Sequence, residues 1–359
     1  MNKQDELQQE FIEKGEKFFR LHDRGYYNLA MRFGKCRTSI ELMKKLLYKN
    51  DWVLIAYPDN KLKQTWMDEM EKWGWDDNIH VEYVNFSSLK KHLDAKYNFF
   101  IIDEFHAASE NEQDYAHVIM DNSNYILGLS GTVSEETAFK WDLEQIASYT
   151  TNDGIEDGIL ADYQITVHYV PLDTLIKIKN KKGQYKTEKQ MYDGYTWVIE
   201  NLKRQGASFM HLALSRNRLS LSSRGKMNYA RKLLKKLSDK RVLIFTGLAK
   251  VADELGIPSY HSKSKDDSAY TGFQRGEHNH LALAAMGKVG VTYKDLDSVI
   301  LLNFTYNAEE TSQILNRAIK LDYHSKVADL HIVCLNEDAE KKKLKESLSM
   351  LDQTKINYL

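Results

Sequence analysis

Four short stretches of this chain combine residue types suited to phosphate chemistry. In the first, the apolar run YYNLA (26–30) leads through MRFGKCRTS into the helical-period segment SIELMKKLL. A glycine at a strand-to-helix turn lets the backbone approach an anion; the N–H groups of the helix start face it, and a lysine adds a point charge. Gly34 and Lys35 fill those places. Against the pattern GxxxxGK[ST], Leu29 stands where the first glycine belongs and Cys36 where Ser or Thr would ligate Mg²⁺. A thiol is a poor partner for a hard cation. Taken alone, this Gly-Lys pair also fits an ordinary helix start.

In the second stretch, Asp103-Glu104-Phe105-His106 closes the apolar run NFFII. Adjacent carboxylates at such a place are costly unless a cation or a reaction uses them. One could hold Mg²⁺ while the next orients or deprotonates a water. The plainer alternative is a helix N-cap with a first-turn acid. A third strand-like run ends in Leu129-Ser130-Gly131-Thr132, small hydroxyl residues at another strand end. Fourth, Gln313, Arg317 and Lys320 fall at i, i+4 and i+7, so a helix would present them on one face.

The elements that must position these residues alternate. VLIAY (53–57), NFFIID (98–103), YILGLSG (125–131), VLIFTG (242–247), LALAAM (281–286) and SVILLN (298–303) read as buried strands. Amphipathic segments such as SIELMKKLLYK, KLKQTWMDEMEKW and NYARKLLKKL lie between them. This alternation predicts an α/β fold of mostly parallel sheets flanked by helices, in which ligands collect at the carboxyl ends of strands. It occurs once before about residue 150 and again after about residue 240, and 359 residues suit two domains. The boundary falls near residue 160 in the run TTNDGIEDGILADY, giving lobes 1–160 and 161–359. Beyond it come a strand-like QITVHYVPL, a lysine-rich exposed stretch IKIKNKKGQYK, and a basic segment from Lys203 to Arg241 whose only acid is Asp239. The net charge is −1, so any affinity for polyanions must come from such local segregation. Two distant cysteines, Cys36 and Cys334, form no disulfide framework or zinc spacing and suit a reducing cytoplasm. The polar, acidic start MNKQDELQQEF has no signal-peptide apolar core, and no run is long enough to span a membrane.

Taken together and in order, GKC (34–36), DEFH (103–106) and SGT (130–132) resemble motifs I, II and III of superfamily 2 (DExH/DEAD-like) helicases, particularly small phage-type DNA helicases and translocases. LIAYPDNKLKQTW resembles motif Ia and VNFSSLKK a later hydroxyl-bearing element. KRVLIFTGLAKVADEL resembles motif IV, LALAAMGKVGVTYKDLDSVILLN motif V, and NAEETSQILNRAIK motif VI. The resemblance implies two RecA-like lobes with ATP in the cleft between them. In its terms Gly34, Lys35, Cys36, Arg37, Thr38, Asp103 and Gly290 hold nucleotide, and Asp103 and Cys36 hold Mg²⁺. Glu104 is the base, and Gln313, Arg317 and Lys320 complete catalysis. Arg317 matches an arginine finger, which is worth about 10³–10⁵ in rate. His106, Ser130 and Thr132 couple the site to the lobes, and Pro58, Ser87, Ser88, Thr246 and Lys288 face nucleic acid, DNA in preference to RNA. A monomer in the cytoplasm, a host's if phage-encoded, is the expected setting.

Four positions depart from the family pattern: Cys36, Asn316 for a glycine, Lys320 for a second arginine, and Thr292 for an acid. An adenine-contacting glutamine motif is not evident, Gln8 and Gln9 being the nearest glutamines before Gly34. The departures favour a second hypothesis, a helicase-like nucleic-acid-binding module with weak or no hydrolysis. A third, a small-molecule P-loop kinase, leaves the second lobe and the Arg317 segment unexplained.

Overall fold

The structure is a computed structural model. It describes residues 2–30, 33–131, 133–179, 183–284, 296–304, 308, 311, 314 and 327–359, except for the side chain of Lys61. The chain divides into two compact units, one comprising the residues up to Ala161 and the other the described residues from Asp162 onward.

The first unit opens with α1 (Lys3–Phe18). Asn2 caps it by accepting from the Asp5 N–H, and Asp5 and Glu6 meet the positive end of its dipole. Gln8, Phe11, Ile12 and Gly15 make its buried stripe, with the i, i+3, i+4, i+7 spacing of one helix face. A six-stranded sheet follows, built from β1 (Arg24–Leu29), β2 (Trp52–Tyr57), β3 (His80–Asn85), β4 (Tyr97–Asp103), β5 (Ser123–Ser130) and β6 (Glu144–Tyr149). Their order is β3-β2-β4-β5-β1-β6, with every pairing parallel. Parallel pairing requires crossovers, and α2 (Lys35–Leu46), α3 (Asn60–Lys72) and α4 (Glu110–Asp121) supply them. The central strands read as continuous apolar runs because both faces are covered: Val53, Leu54, Ile55, Ala56 and Phe99 to Ile102 are all fully buried.

The second unit holds a seven-stranded, wholly parallel sheet. Its centre is formed by β10 (Val242–Phe245), β13 (Ser298–Leu301) and β14 (Ala328–Leu335), flanked by β7 (Tyr163–Val170) and β12 (His280–Leu283). The outer strands are β11 (Ser259–Tyr260) and β15 (Ile356–Tyr358). Between β7 and the covering helix α9 (Arg224–Lys236) lie a small hairpin and two helices, α7 (Glu188–Arg204) and α8 (Met210–Leu221). Each strand-like run singled out in the sequence forms a strand within a few residues of its expected limits, residues 285–286 of LALAAM lying outside the described set. The turn-rich run at 150–163 is partly helical: Thr150 and Asp153 form a capping box that starts α6 (Thr151–Glu156).

Candidate nucleotide site in the first unit

β1 ends at Leu29, and the turn after it is anchored by the Ala30 N–H to the Tyr149 carbonyl at 2.7 Å. Gly34 then adopts φ 99°, a left-handed conformation that L side chains rarely take, and a Cβ there would collide with the Gln8 amide. Lys35 is the first residue of α2, so the helix N-terminus and its unpaired N–H groups open at the Gly34 turn.

Two strands away, across β5, Asp103 is the last residue of β4 and is 4% exposed, while Glu104 is 8% exposed. Glu104 sits at φ 52°, ψ 47°, an uncommon conformation for a glutamate that costs on the order of 1–2 kcal/mol. Two contacts over-determine it. The 3₁₀ turn Phe105–Ala107 closes on it through the Ala107 N–H to the Glu104 carbonyl, at 2.8 Å. Phe105, fully buried, is wedged edge-on between Tyr26 and Trp141. Strain held at one carboxylate by surrounding packing is a mark of function.

This strain delivers the Glu104 Oε1 to the Lys35 Nζ at 2.5 Å, in a pair whose side chains are 11% and 14% exposed. Burial alone would push the Lys35 ammonium down, but the Glu104 and Asp103 carboxylates outweigh it and hold it above the ordinary lysine range. Burial, then the charge of Glu104, pushes Asp103 up to about 6. Burial, then Asp103, holds the Cys36 thiol well above its usual value and therefore neutral. Two buried carboxylates face one ammonium, which leaves local negative charge for a cation to balance.

His106 and Ser130 meet here as well. The Ser130 hydroxyl, at the end of β5, lies 2.8 Å from His106 Nδ1, and that nitrogen lies 3.6 Å from Glu104 Oε2. The two strand ends are thus linked by side chains as well as by the β4–β5 register, in which Asp103 pairs with Leu129.

Two residues given no role by the sequence join the cluster, one of them Gln8, set aside there for want of an adenine-contacting glutamine motif. Trp66 of α3 is fully buried and donates its indole N–H to Asp103 Oδ2 at 2.9 Å. Gln8, 3% exposed, donates its amide to the Phe33 carbonyl immediately before Gly34, beside a second such bond from Gln4 at 2.9 Å. With Nε2 committed, the Gln8 Oε1 is an acceptor, buried and without a hydrogen-bond partner among the described residues. The sequence offered a faint signal for Gln8, its place on the apolar stripe of an amphipathic α1; nothing marked Trp66.

Several expected residues have other employment. Thr38 and Ser39 are fully buried and bond back to the carbonyls of Gly34 (3.2 Å) and Lys35 (2.9 Å), the usual habit of hydroxyls inside a helix. Arg37, expected to hold nucleotide, pairs with Asp5 and stacks over Trp73 at 4.2 Å, so its guanidinium braces α1 and the end of α3. Ser87, exposed, bonds to Asn85 at 2.8 Å, and Ser88 is half-buried; both lie on the 3₁₀ helix Phe86–His92. Pro58 is half-buried, and its carbonyl receives the Asn85 amide at 2.9 Å. Thr246, expected to face nucleic acid, is instead fully buried, its hydroxyl 3.1 Å from the Leu248 carbonyl and 3.3 Å from that of Leu283. It shapes the turn after β10 and presents nothing to solvent. Thr132, Lys288, Gly290, Gln313, Arg317 and Lys320 lie outside the described residues.

The donor set fits a magnesium nucleotide. Among the described residues no cluster of three or more metal-ligating side chains forms a cage. Mg²⁺ characteristically takes one or two carboxylates and completes its shell with water and substrate phosphates. Asp103 supplies such a carboxylate, the Gly34 turn and Lys35 suit phosphates, and the orphaned Gln8 acceptor suits an exocyclic amine.

No family model matches the chain, and no curated protein matches it. Solved structures do. The ATP-dependent Type ISP restriction-modification enzyme LlaBIII bound to DNA aligns with TM-score 0.62 and 12% identity over 98% of this chain, which spans 31% of that one. S. cerevisiae Dbp5 bound to RNA and ADP BeF3 aligns with TM-score 0.58 and 10% identity, covering 95% of this chain and 87% of that one. The Pyrococcus furiosus Hef helicase domain aligns with TM-score 0.52 and 13% identity, covering 95% and 97%. The chain therefore has the fold of superfamily 2 helicase cores, two RecA-like α/β lobes.

Proposed function

We propose that this chain is an ATP-dependent nucleic-acid helicase or translocase, acting on DNA in preference to RNA. The observation that carries the reading is the buried Lys35–Glu104–Asp103 cluster, placed at the mouth of the α2 N-terminus at the carboxyl edge of the sheet. The likeness to LlaBIII bound to DNA and Dbp5 bound to RNA supports a polynucleotide as the partner. Among the described residues no helix is long and apolar enough to cross a membrane. A monomer working in the cytoplasm completes the reading.

ATP with Mg²⁺ supplies a phosphoanhydride whose cleavage releases the energy for movement. The protein's own groups have separable tasks. Lys35 would leave Glu104 for phosphate oxygens, and Asp103 would hold the metal. Glu104, freed from Lys35, orients and deprotonates the attacking water. His106 and Ser130 carry the state of Glu104 to the end of β5. Arg317, Gln313 and Lys320, outside the described residues, are assigned the stabilisation of transition-state charge by the helicase resemblance alone.

The test is ATP turnover with and without single-stranded DNA. Lys35→Ala should abolish nucleotide binding. Glu104→Gln should retain binding and lose turnover by about 10²-fold or more. Turnover unaltered by both changes defeats the motor. A neutral Cys36 thiol and inward-turned Thr38 and Ser39 favour one second reading, a clamp that binds nucleotide without turning it over. In that case wild type binds ATP and DNA and releases no phosphate.

A further inference from the structure

One charged feature remains unused by this mechanism. Residues 174–187 carry Lys177, Lys179, Lys181, Lys182 and Lys186 and no acid, in a chain of net charge −1. The backbone leaves the carboxyl end of β7 at Val170 and forms a small antiparallel ribbon, β8 (Ile178–Lys179) with β9 (Tyr185–Lys186). Every strand of the sheet runs parallel to β7, so the ribbon springs from the carboxyl edge, where sheets of this kind collect ligands.

The register sorts its side chains. Lys179 is opposite Tyr185, and Ile178 is opposite Lys186. Directly opposed residues share a face, and successive residues point to opposite faces. Lys179 and Tyr185 therefore share one face, Ile178 and Lys186 the other. The first face is the solvent face: Lys179 is exposed and Tyr185 is 66% exposed, whereas Ile178 and Lys186 are half-buried. Lys177, two residues before Lys179, is also exposed. Among the described residues Lys177, Lys179 and Lys186 have no acidic partner, in contrast to Lys189 nearby, which is held by Asp193 at 2.7 Å and Glu337 at 3.1 Å.

The geometry points to a contact for a single nucleic-acid strand on this ribbon, with Tyr185 stacking a base and Lys177 and Lys179 taking phosphates. An exposed ring beside unpaired cations is the combination that holds unpaired strands, because every base has a face to stack. A duplex keeps its base faces covered and would use the lysines alone. The site lies outside every segment that resembles a helicase motif. It rests on the proposed function only in that the chain must bind polynucleotide at all.

The experiment is equilibrium binding of the full chain, by fluorescence anisotropy, to a labelled thymidine homo-oligomer and to a labelled blunt duplex across a salt series. Tyr185→Ala should weaken the homo-oligomer by about 10-fold and leave the duplex unchanged. Lys177→Gln with Lys179→Gln should reduce the salt slope for the homo-oligomer by about 1.4, at roughly 0.7 per phosphate on a single strand. The double arginine variant should restore that slope, which a folding defect would not allow. Wild-type binding unchanged in the tyrosine and glutamine variants overturns the inference. Equal loss on strand and duplex in Tyr185→Ala overturns it in favour of a duplex contact. Failure of wild type to bind either probe overturns the proposed function itself, a distinct result.

Discussion

The indole of Trp66 holds Asp103 Oδ2 at 2.9 Å, tying the helix that follows Pro58 to the carboxylate at the end of β4. Both partners are buried, so the bond is made away from competing water. Any shift of α3 must move or break it, which makes Trp66 a positioning residue between the segment proposed to contact nucleic acid and the carboxylate proposed to hold Mg²⁺. Trp66→Phe keeps most of the ring and removes the N–H. The buried oxygen then loses its donor, at a cost of about 1–3 kcal/mol in denaturation experiments. The Mg²⁺ concentration for half-maximal ATP turnover should rise about 10-fold, the lower end for loss of a group that orients a metal ligand. A stability loss with an unchanged Mg²⁺ requirement would reduce the bond to simple packing.

Cys36 gives a prediction of gain. It stands where a hydroxyl would reach Mg²⁺, and burial with Asp103 nearby keeps its thiol neutral. Cys36→Ser substitutes a hard oxygen at nearly constant volume. Tighter Mg²⁺ dependence, by about 10-fold, is expected in a titration of turnover at fixed ATP. A serine variant equal to or worse than wild type would mean that water already fills the place of the hydroxyl.

Gly34 is constrained twice, by its left-handed φ of 99° and by the Gln8 amide against its Cα. Gly34→Ala should therefore cost about 1–3 kcal/mol in stability and displace Gln8 from the Phe33 carbonyl. The sharper readout is ligand-induced stabilisation: a non-hydrolysable ATP analogue should raise the melting temperature of wild type and leave that of the alanine variant nearly unmoved. Gln8→Ala, which makes room without changing the backbone, should retain part of that rise.

These predictions separate what was legible in the sequence from what was not. The places of Gly34-Lys35 and Asp103-Glu104 at strand ends could be read directly, because apolar periodicity marks where those strands stop. The two parallel sheets followed from the same periodicity. The partners of Asp103 and Phe33 could not be read, since Trp66 and Gln8 reach them across 37 and 25 residues through packing that spacing does not encode. The left-handed Glu104 was equally hidden: a glutamate carries no local preference for that conformation, and the Ala107 bond to its carbonyl together with Phe105, held by Tyr26 and Trp141, impose it. Arg37 and Thr246 are placed otherwise than expected for the converse reason. Their neighbours in sequence suggested ligands, while Asp5, Trp73 and two buried carbonyls claimed them first.

The second unit contains a pH-sensitive pair that no motif touches. His168 on β7 is 6% exposed, with its Nδ1 2.9 Å from the Tyr229 hydroxyl and its Nε2 3.1 Å from Nδ1 of His331 on β14. Burial, then His331 and Lys236, push His168 down to about 4, from a usual value near 6.5. Burial also lowers His331, with Lys240 acting the same way and Asp329 opposing. Both imidazoles are therefore neutral in the folded state. Below about pH 6.5 the unfolded chain binds protons that the folded pair refuses, so the unfolded state is favoured progressively. The contribution is fully present above pH 6.5 and is lost as the pH falls towards 4, by about 2 kcal/mol for His168 after discounting for residual solvent screening. Urea denaturation of the full chain at pH 7 and pH 5 should show the transition of the second unit moving to lower denaturant at pH 5. In His168→Gln, which keeps hydrogen-bonding groups and cannot titrate, the shift between the two pH values should shrink measurably. A variant that retains the full wild-type shift would assign the acid sensitivity to other groups and leave the histidine pair a neutral, purely structural contact between β7 and β14.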